Sequence, residues 1–182
     1  MASSPKPQLT HVGMFVRDID RMADFYTDVM GLTISDRGDI PGNRKIVFFS
    51  NDPSEHHQFV LVSGRPDDDS LVAAQQVSFL VKSLDEVRTL YDRICAAGME
   101  VMQTTCHGNA LSVYFKDPDG NRIEVYTHTP WHVPQPHAVP FDISLPNEEI
   151  LAWAEAHCRE DAGFMSAGER RNVMETLIGE SA

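Results

Sequence analysis

Residues 10–26 and 75–91 carry one pattern twice, 65 positions apart. The apolar run of His11–Val16 returns as Gln76–Val81, Asp20 as Asp85, Tyr26 as Tyr91, and Asp52-Pro53 as Asp117-Pro118. Self-similarity at a fixed period means that one supersecondary unit is used more than once, each copy burying its apolar face against the other. Two such units packed together enclose a cleft. Equivalent positions, 11 against 76 and 59 against 124, are then expected to face one another across it.

Each copy reads as a strand, a helix and further strands. Leu9–Val16 is β-like, and Ile19, Met22, Phe25, Tyr26 and Val29 recur at helical spacing up to Gly31, a C-capping glycine. Of these, Met22, Phe25 and Tyr26 are expected in the core. In the second copy Val77–Val81 is the strand, and Leu84, Val87, Leu90, Tyr91 and Ile94 form the helical stripe ending at Gly98. Ser83 with Glu86 supplies a capping box. Short strands follow at 45–50 and 58–63, then at 112–116 and 121–126, the last pair joined by the turn Asp117-Pro118-Asp119-Gly120. The predicted order is βαβββ twice, an α+β domain with helices outside a curved mixed sheet. Residues 1–128 are expected to hold this duplicated core, with module one at about 8–65 and module two at about 72–128. Residues 129–182 are expected to form an appendage: a proline-rich extended arm over 131–146, then helices at 147–159 and 166–179. Ile150, Leu151, Trp153 and Ala154 would be the apolar face of the first of these. The segment 36–44 reads as a loop that bears on selectivity.

A formal charge of −12 argues against nucleic acid or an anionic membrane surface as partner, since both need clustered positive charge. Apolar runs such as Ile46–Phe49 fall far short of the roughly 20 residues that span a bilayer. Residues 1–8 lack the apolar run of a signal peptide, and Cys95, Cys106 and Cys158 fit no zinc spacing. Free thiols in a reducing cytoplasm are the expectation.

Alternate residues of a strand point to opposite faces. If Val12, Met14 and Val16 meet the helix, then His11, Gly13 and Phe15 enter the cleft. By the same parity Gln76, Ser78 and Leu80 point inward, as do Arg122, Glu124 and Tyr126. Imidazole, amide oxygen and carboxylate from His11, Gln76 and Glu124 could hold a divalent metal with positions open for substrate. The alternative is a hydrogen-bonded His11–Glu124 pair in a polar pocket.

The double βαβββ pattern, the opening over His11–Leu32 and the closing run Tyr114–Glu124 together resemble the vicinal oxygen chelate superfamily, which includes glyoxalase I, fosfomycin-resistance transferases and type I extradiol dioxygenases. The resemblance covers residues 9–127 and implies that His11 and Glu124 are its first and last metal ligands. Gln76 falls where most members carry a second histidine. Glyoxalase-type sites draw two ligands from each module, whereas Phe59 and Val60 stand where the fourth would be, so a three-ligand set fits better. His56-His57 resembles the histidine pair of extradiol dioxygenases, which implies that His57 is an acid–base group and that His107 and Tyr114 orient substrate oxygens. Phe15, Phe59 and Leu80 would wall the pocket. The implied activity is ring cleavage of a catechol-like aromatic by O₂ on a divalent metal, Fe(II) ahead of Mn(II) or another, in a homodimer or higher homo-oligomer. A glyoxalase-type metal-dependent lyase or isomerase, or a metal-free small-molecule binding protein, is the alternative. His128, His132 and His137, in or next to the proline-rich arm, read as surface or lid groups and not as ligands.

Overall fold

The computed structural model describes residues 7–67 and 74–180. β1 (Val12–Val16) leads into α1 (Ile19–Asp24), which continues as a π-helical turn over Phe25–Val29. β2 (Ile34–Ile40), β3 (Arg44–Phe49) and β4 (Phe59–Ser63) complete the first unit. β5 (Val77–Leu80), α2 (Leu84–Ala96), β6 (Val101–Cys106), β7 (Ala110–Lys116) and β8 (Arg122–His128) repeat the order. The sheets run β1-β4-β3-β2 and β6-β7-β8-β5, with β1 parallel to β4 and β5 parallel to β8. This is the α+β fold expected from the repeat.

Local chemistry sets the helix limits. Asp18 caps α1 by accepting from the Arg21 N–H at 3.0 Å, and Ser83 caps α2 from the Glu86 N–H at 3.3 Å. The Glu86 carboxylate returns to the Lys82 N–H at 2.8 Å, one residue earlier than the usual capping box. Gly31 and Gly98 take φ of 72° and 70° just beyond the two helical segments, where a side chain would be strained.

The register corrects one equivalence. Val12 lies beside Phe59, and Val77 beside Ile123. The first strands are therefore 65 residues apart, but the last strands, from 59 to 123, are only 64 apart. The counterpart of Glu124 is Val60, not Phe59. The loop over 50–58 is longer than the tight turn over 117–121, and the period slips there. A second correction concerns 36–44. Ile34–Ile40 is strand β2, and the only turn is at 41–43. Asp36, Arg37, Gly38 and Asp39 leave this edge strand polar and exposed on both faces, so it shows no apolar alternation.

The core lies between sheets and helices. Val16, Met22, Phe25, Tyr26, Phe49 and Leu61 fill the first half, and Val87, Ile94, Phe115, Ile123 and Val125 the second. Each large apolar side chain so buried contributes roughly 1.5–3 kcal/mol. The halves meet through Tyr26, whose hydroxyl donates to Asp117 Oδ2 at 3.1 Å, and through Arg65, which donates to Asn121 Oδ1 at 2.6 Å.

Beyond residue 128 the chain forms β9 (Trp131–His132), β10 (Val139–Pro140), α3 (Asn147–Cys158), β11 (Met165–Ser166) and α4 (Ala167–Glu180). β10 adds to β6, and Val133, Phe141 and Ile143 are buried, so the arm is part of the packed structure. On α3 the expected apolar face divides. Ile150, Ala154 and Cys158, spaced by one turn, are buried, while Leu151 and Trp153 are exposed. Among the described residues no helix is long and apolar enough to cross a membrane.

Candidate functional site

Register places one row of polar side chains across the second sheet. Ser78 pairs with Glu124, Glu124 with Tyr114, and Tyr114 with Gln103, all on the face away from the helix. Glu124 is 6% exposed. Its Oε2 accepts from Gln76 Nε2 at 3.0 Å and from the Ser78 hydroxyl at 2.5 Å. His107 Nε2 lies 3.9 Å from Glu124 Oε1 and 2.9 Å from the Tyr114 hydroxyl. Ser78 was legible only as an inward-pointing residue; its role as the partner of Glu124 needs the cross-strand register.

The arm fixes His107. Its Nδ1 lies 2.8 Å from the His137 carbonyl oxygen, which can only accept, so the proton of the neutral ring sits on Nδ1 and Nε2 is left as acceptor. Gln135 Nε2 in turn donates to the His107 carbonyl at 2.6 Å. Gly108 lets the arm come this near: a Cβ there would meet Val133 Cγ2 at 2.1 Å, and its φ is +76°. His137, expected as a surface or lid group, is therefore a half-buried positioning element. Burial, and after it the hydrogen bond and charge of Glu124, push the Tyr114 phenol well above its ordinary pKa. The phenol stays protonated and has its hydrogen to share between His107 and Glu124.

In the first copy, His11 and His57 lie with ring centroids 4.5 Å apart and planes tilted by 59°, and Phe48 flanks His57 at 5.1 Å. His57 Nδ1 is 2.9 Å from His56 Nδ1, which leaves Nε2 as its open nitrogen. Partial desolvation, with His11 and His56 beside it, holds the His57 pKa below the usual imidazole value. His11 itself is bonded to Thr10 Oγ1 at 3.1 Å. The structure thus groups Gln76, Glu124, Tyr114 and His107, and separately His11 with His57. Among the described residues, His107 is the histidine within ion-pair reach of Glu124.

Phe15 and Leu80 are 55% and 54% exposed, and both lie on the face opposite the helices. Phe59 is corrected. It is 3% exposed on the helix side of its sheet, edge-on to Tyr26 at 4.8 Å and to Phe79 at 5.6 Å. There it lines a seam cavity of about 420 Å³ with Val12, Phe49, Phe79 and Leu80. The expectation failed because it took position 59 as the equivalent of 124.

The donor chemistry suits a divalent cation. Glu124 is a buried carboxylate whose closest partners are neutral side chains, and no lysine or arginine among the described residues pairs with it. Gln76 turns its amide nitrogen to Glu124, leaving Oε1 as the oxygen that a metal can use.

Two βαβββ units, with a buried carboxylate and its amide partner on the second sheet, define the class of architecture. The chain belongs to the Glyoxalase/Bleomycin resistance protein/Dioxygenase superfamily, whose family model matches residues 8–125. It is 27% identical over 124 residues to biphenyl-2,3-diol 1,2-dioxygenase 3 of Rhodococcus globerulus, covering 65% of this chain and 62% of that one. It is 22% identical over 121 residues to a probable lactoylglutathione lyase of Synechocystis, covering 64% and 92%. The chain spans about three-fifths of the length of that dioxygenase. Among solved structures, the fosfomycin resistance protein FosX from Listeria monocytogenes with Mn(II) shares the fold. Its TM-score is 0.56 at 20% identity, over 69% of this chain and 95% of that one.

Proposed function

We propose that this protein is an extradiol-type dioxygenase that cleaves the ring of a catechol-like aromatic with O₂. The observation that carries the reading is the His107–Tyr114 pair beside buried Glu124, 2.9 Å and 3.9 Å from His107 Nε2. Glu124 and Gln76 would hold the metal with His11 from the facing wall. A divalent ion there, Fe(II) ahead of Mn(II), would gather the two vicinal ring oxygens and O₂ and supply the redox chemistry of ring cleavage. His57, kept neutral at its open Nε2, would take the substrate hydroxyl proton and later return it. Tyr114 would donate its hydroxyl hydrogen to a substrate oxygen while His107 holds the ring edge in line. Phe15 and Leu80 offer exposed apolar surface for the aromatic ring. The segment after residue 128 would serve the core by fixing His107. The small-molecule partners would be the substrate and O₂, the assembly a homodimer or higher homo-oligomer, and the free cysteines fit a reducing cytoplasm.

A glyoxalase-type lyase is the weaker reading, because Val60, the true counterpart of Glu124, has no donor atom to complete a four-ligand set. The test is oxygen consumption and coloured ring-fission product from catechol and 2,3-dihydroxybiphenyl under air, with protein loaded anaerobically with Fe(II). Turnover of at least one substrate is expected. Protein that binds one Fe(II) per chain and yet consumes no oxygen with any catechol would overturn the reading.

A further inference from the structure

We propose that Cys106, His137 and Cys158 form a second metal site, for a thiophilic divalent cation of the zinc class, that ties the C-terminal segment to the duplicated core. The three donors come from three separate elements: the end of β6, the arm and the end of α3. Their ligand atoms all lie within 4.8 Å of one another. Zinc bonds sulfur at about 2.3 Å and imidazole nitrogen at about 2.0–2.1 Å, so donors around one ion stand roughly 3.5–4 Å apart. Small side-chain rotations close the difference.

The burial pattern points to a ligand. Cys106 and Cys158 are fully buried, and His137 Nε2 is a buried nitrogen with no hydrogen-bond partner. A buried polar atom left unpaired in a native fold calls for a partner. Soft sulfur donors with an imidazole select zinc-like ions over magnesium or calcium. Charge settles the oxidation state. A divalent ion displaces one proton from each thiol, and two thiolates with one neutral imidazole then bring the net charge to zero, as a dry site requires. Burial pushes the Cys106 thiol up to about 11 and raises Cys158 as well, so without an ion both stay protonated and inert.

The surroundings already carry supporting hydrogen bonds. The Gly108 N–H donates to Cys106 Sγ at 3.4 Å, and the His137 N–H donates to Gln135 Oε1 at 3.1 Å. The Trp131 indole N–H reaches toward Cys158 and favours its charged form. Sequence spacing could not show the site, because its residues are spread over 106–158 and meet only when the arm folds back. Cys106 precedes His107 in the chain, and the His137 carbonyl holds the His107 ring, so occupancy would stiffen the mounting of that side chain.

The test uses the full chain, reduced and stripped with chelator, then titrated with Co²⁺. The Glu124 region has no thiol, so thiolate-to-cobalt charge-transfer absorption reports this cluster alone. The expected result is a band that reaches a plateau, is displaced by Zn²⁺, and persists in Cys95→Ser. Cys158→Ser and His137→Gln, checked for folding by circular dichroism, should each weaken Co²⁺ binding by about tenfold or more. No band in the folded wild-type chain, or a band unchanged in both variants, would overturn the proposal. Recovery of Cys106 and Cys158 as a disulfide from protein kept under reductant would overturn it too.

Discussion

On the wall built by the second copy, Glu124 is enclosed by Gln76, Ser78 and the Tyr114–His107 pair, with the arm pressed behind it. On the wall built by the first copy, His11 and His56 are exposed, and their partners are Thr10, Asp36, His57 and Phe48. The same ancestral strands underlie both. What separates them is the connection before the last strand and the segment packed outside. A tight turn organised by Asp117 holds the second copy, whereas the first copy carries a longer loop bearing two histidines. The repeat has divided into a half whose carboxylate is enclosed and a half whose histidines are left largely exposed.

Glu124→Gln gives the sharpest break in this comparison: ring cleavage should fall to the protein-free background, and the equivalent of Fe(II) taken up by the wild-type chain should be lost by elemental analysis. His107→Asn and His57→Asn should each lower kcat on the order of 10²-fold, the usual worth of a positioned acid–base group. If only the His57 change does so, the rigid wall is scaffolding and not part of the chemistry. Asp117→Ala, which strips the acceptor from Tyr26, Asp119 and Asn121, should cost about 3 kcal/mol in denaturant unfolding. Asp52→Ala, at the equivalent position, should lower the midpoint far less, since among the described residues the Asp52 side chain bonds only to Ser54.

The smallest effect is a difference of sign. Hydrogen bonds from Ser54 lower the Asp52 pKa, whereas burial raises that of Asp117. The Asp52 contribution to stability is present above its unfolded pKa and lost as pH falls through the folded one. The Asp117 contribution is present at low pH and lost as pH rises through its folded pKa. Carboxyl carbon NMR should therefore find Asp52 titrating below, and Asp117 above, the ordinary aspartate range. Equal midpoints would mean that the two turns are alike after all.

The repeat made the topology legible, because a period of 65 residues leaves few ways to place strands and helices. Capping residues Ser83, Gly31 and Gly98 marked helix ends through local chemistry that needs no tertiary context. Three things were not legible. β2 is polar on both faces and carries no alternation. The one-residue slip before Phe59 arises in a loop, where length is free to drift, and it moved a supposed wall residue into the core. The contact of His11 with His57 and the meeting of Cys106 with His137 and Cys158 depend on how loops fold back, which strand parity does not report.

The placement of β10 also bears on what copies of this chain can do to one another. A bare outer strand is a template on which a neighbour can polymerise, and proteins blunt such margins with short strands, proline, charge or bulges. Val139-Pro140 closes one outer margin with two residues, the second of which has no amide hydrogen to offer. The other margin, β2, is bulged between Ile34 and Asp36 and studded with charge. These two margins are thereby poor templates for a second copy of the chain.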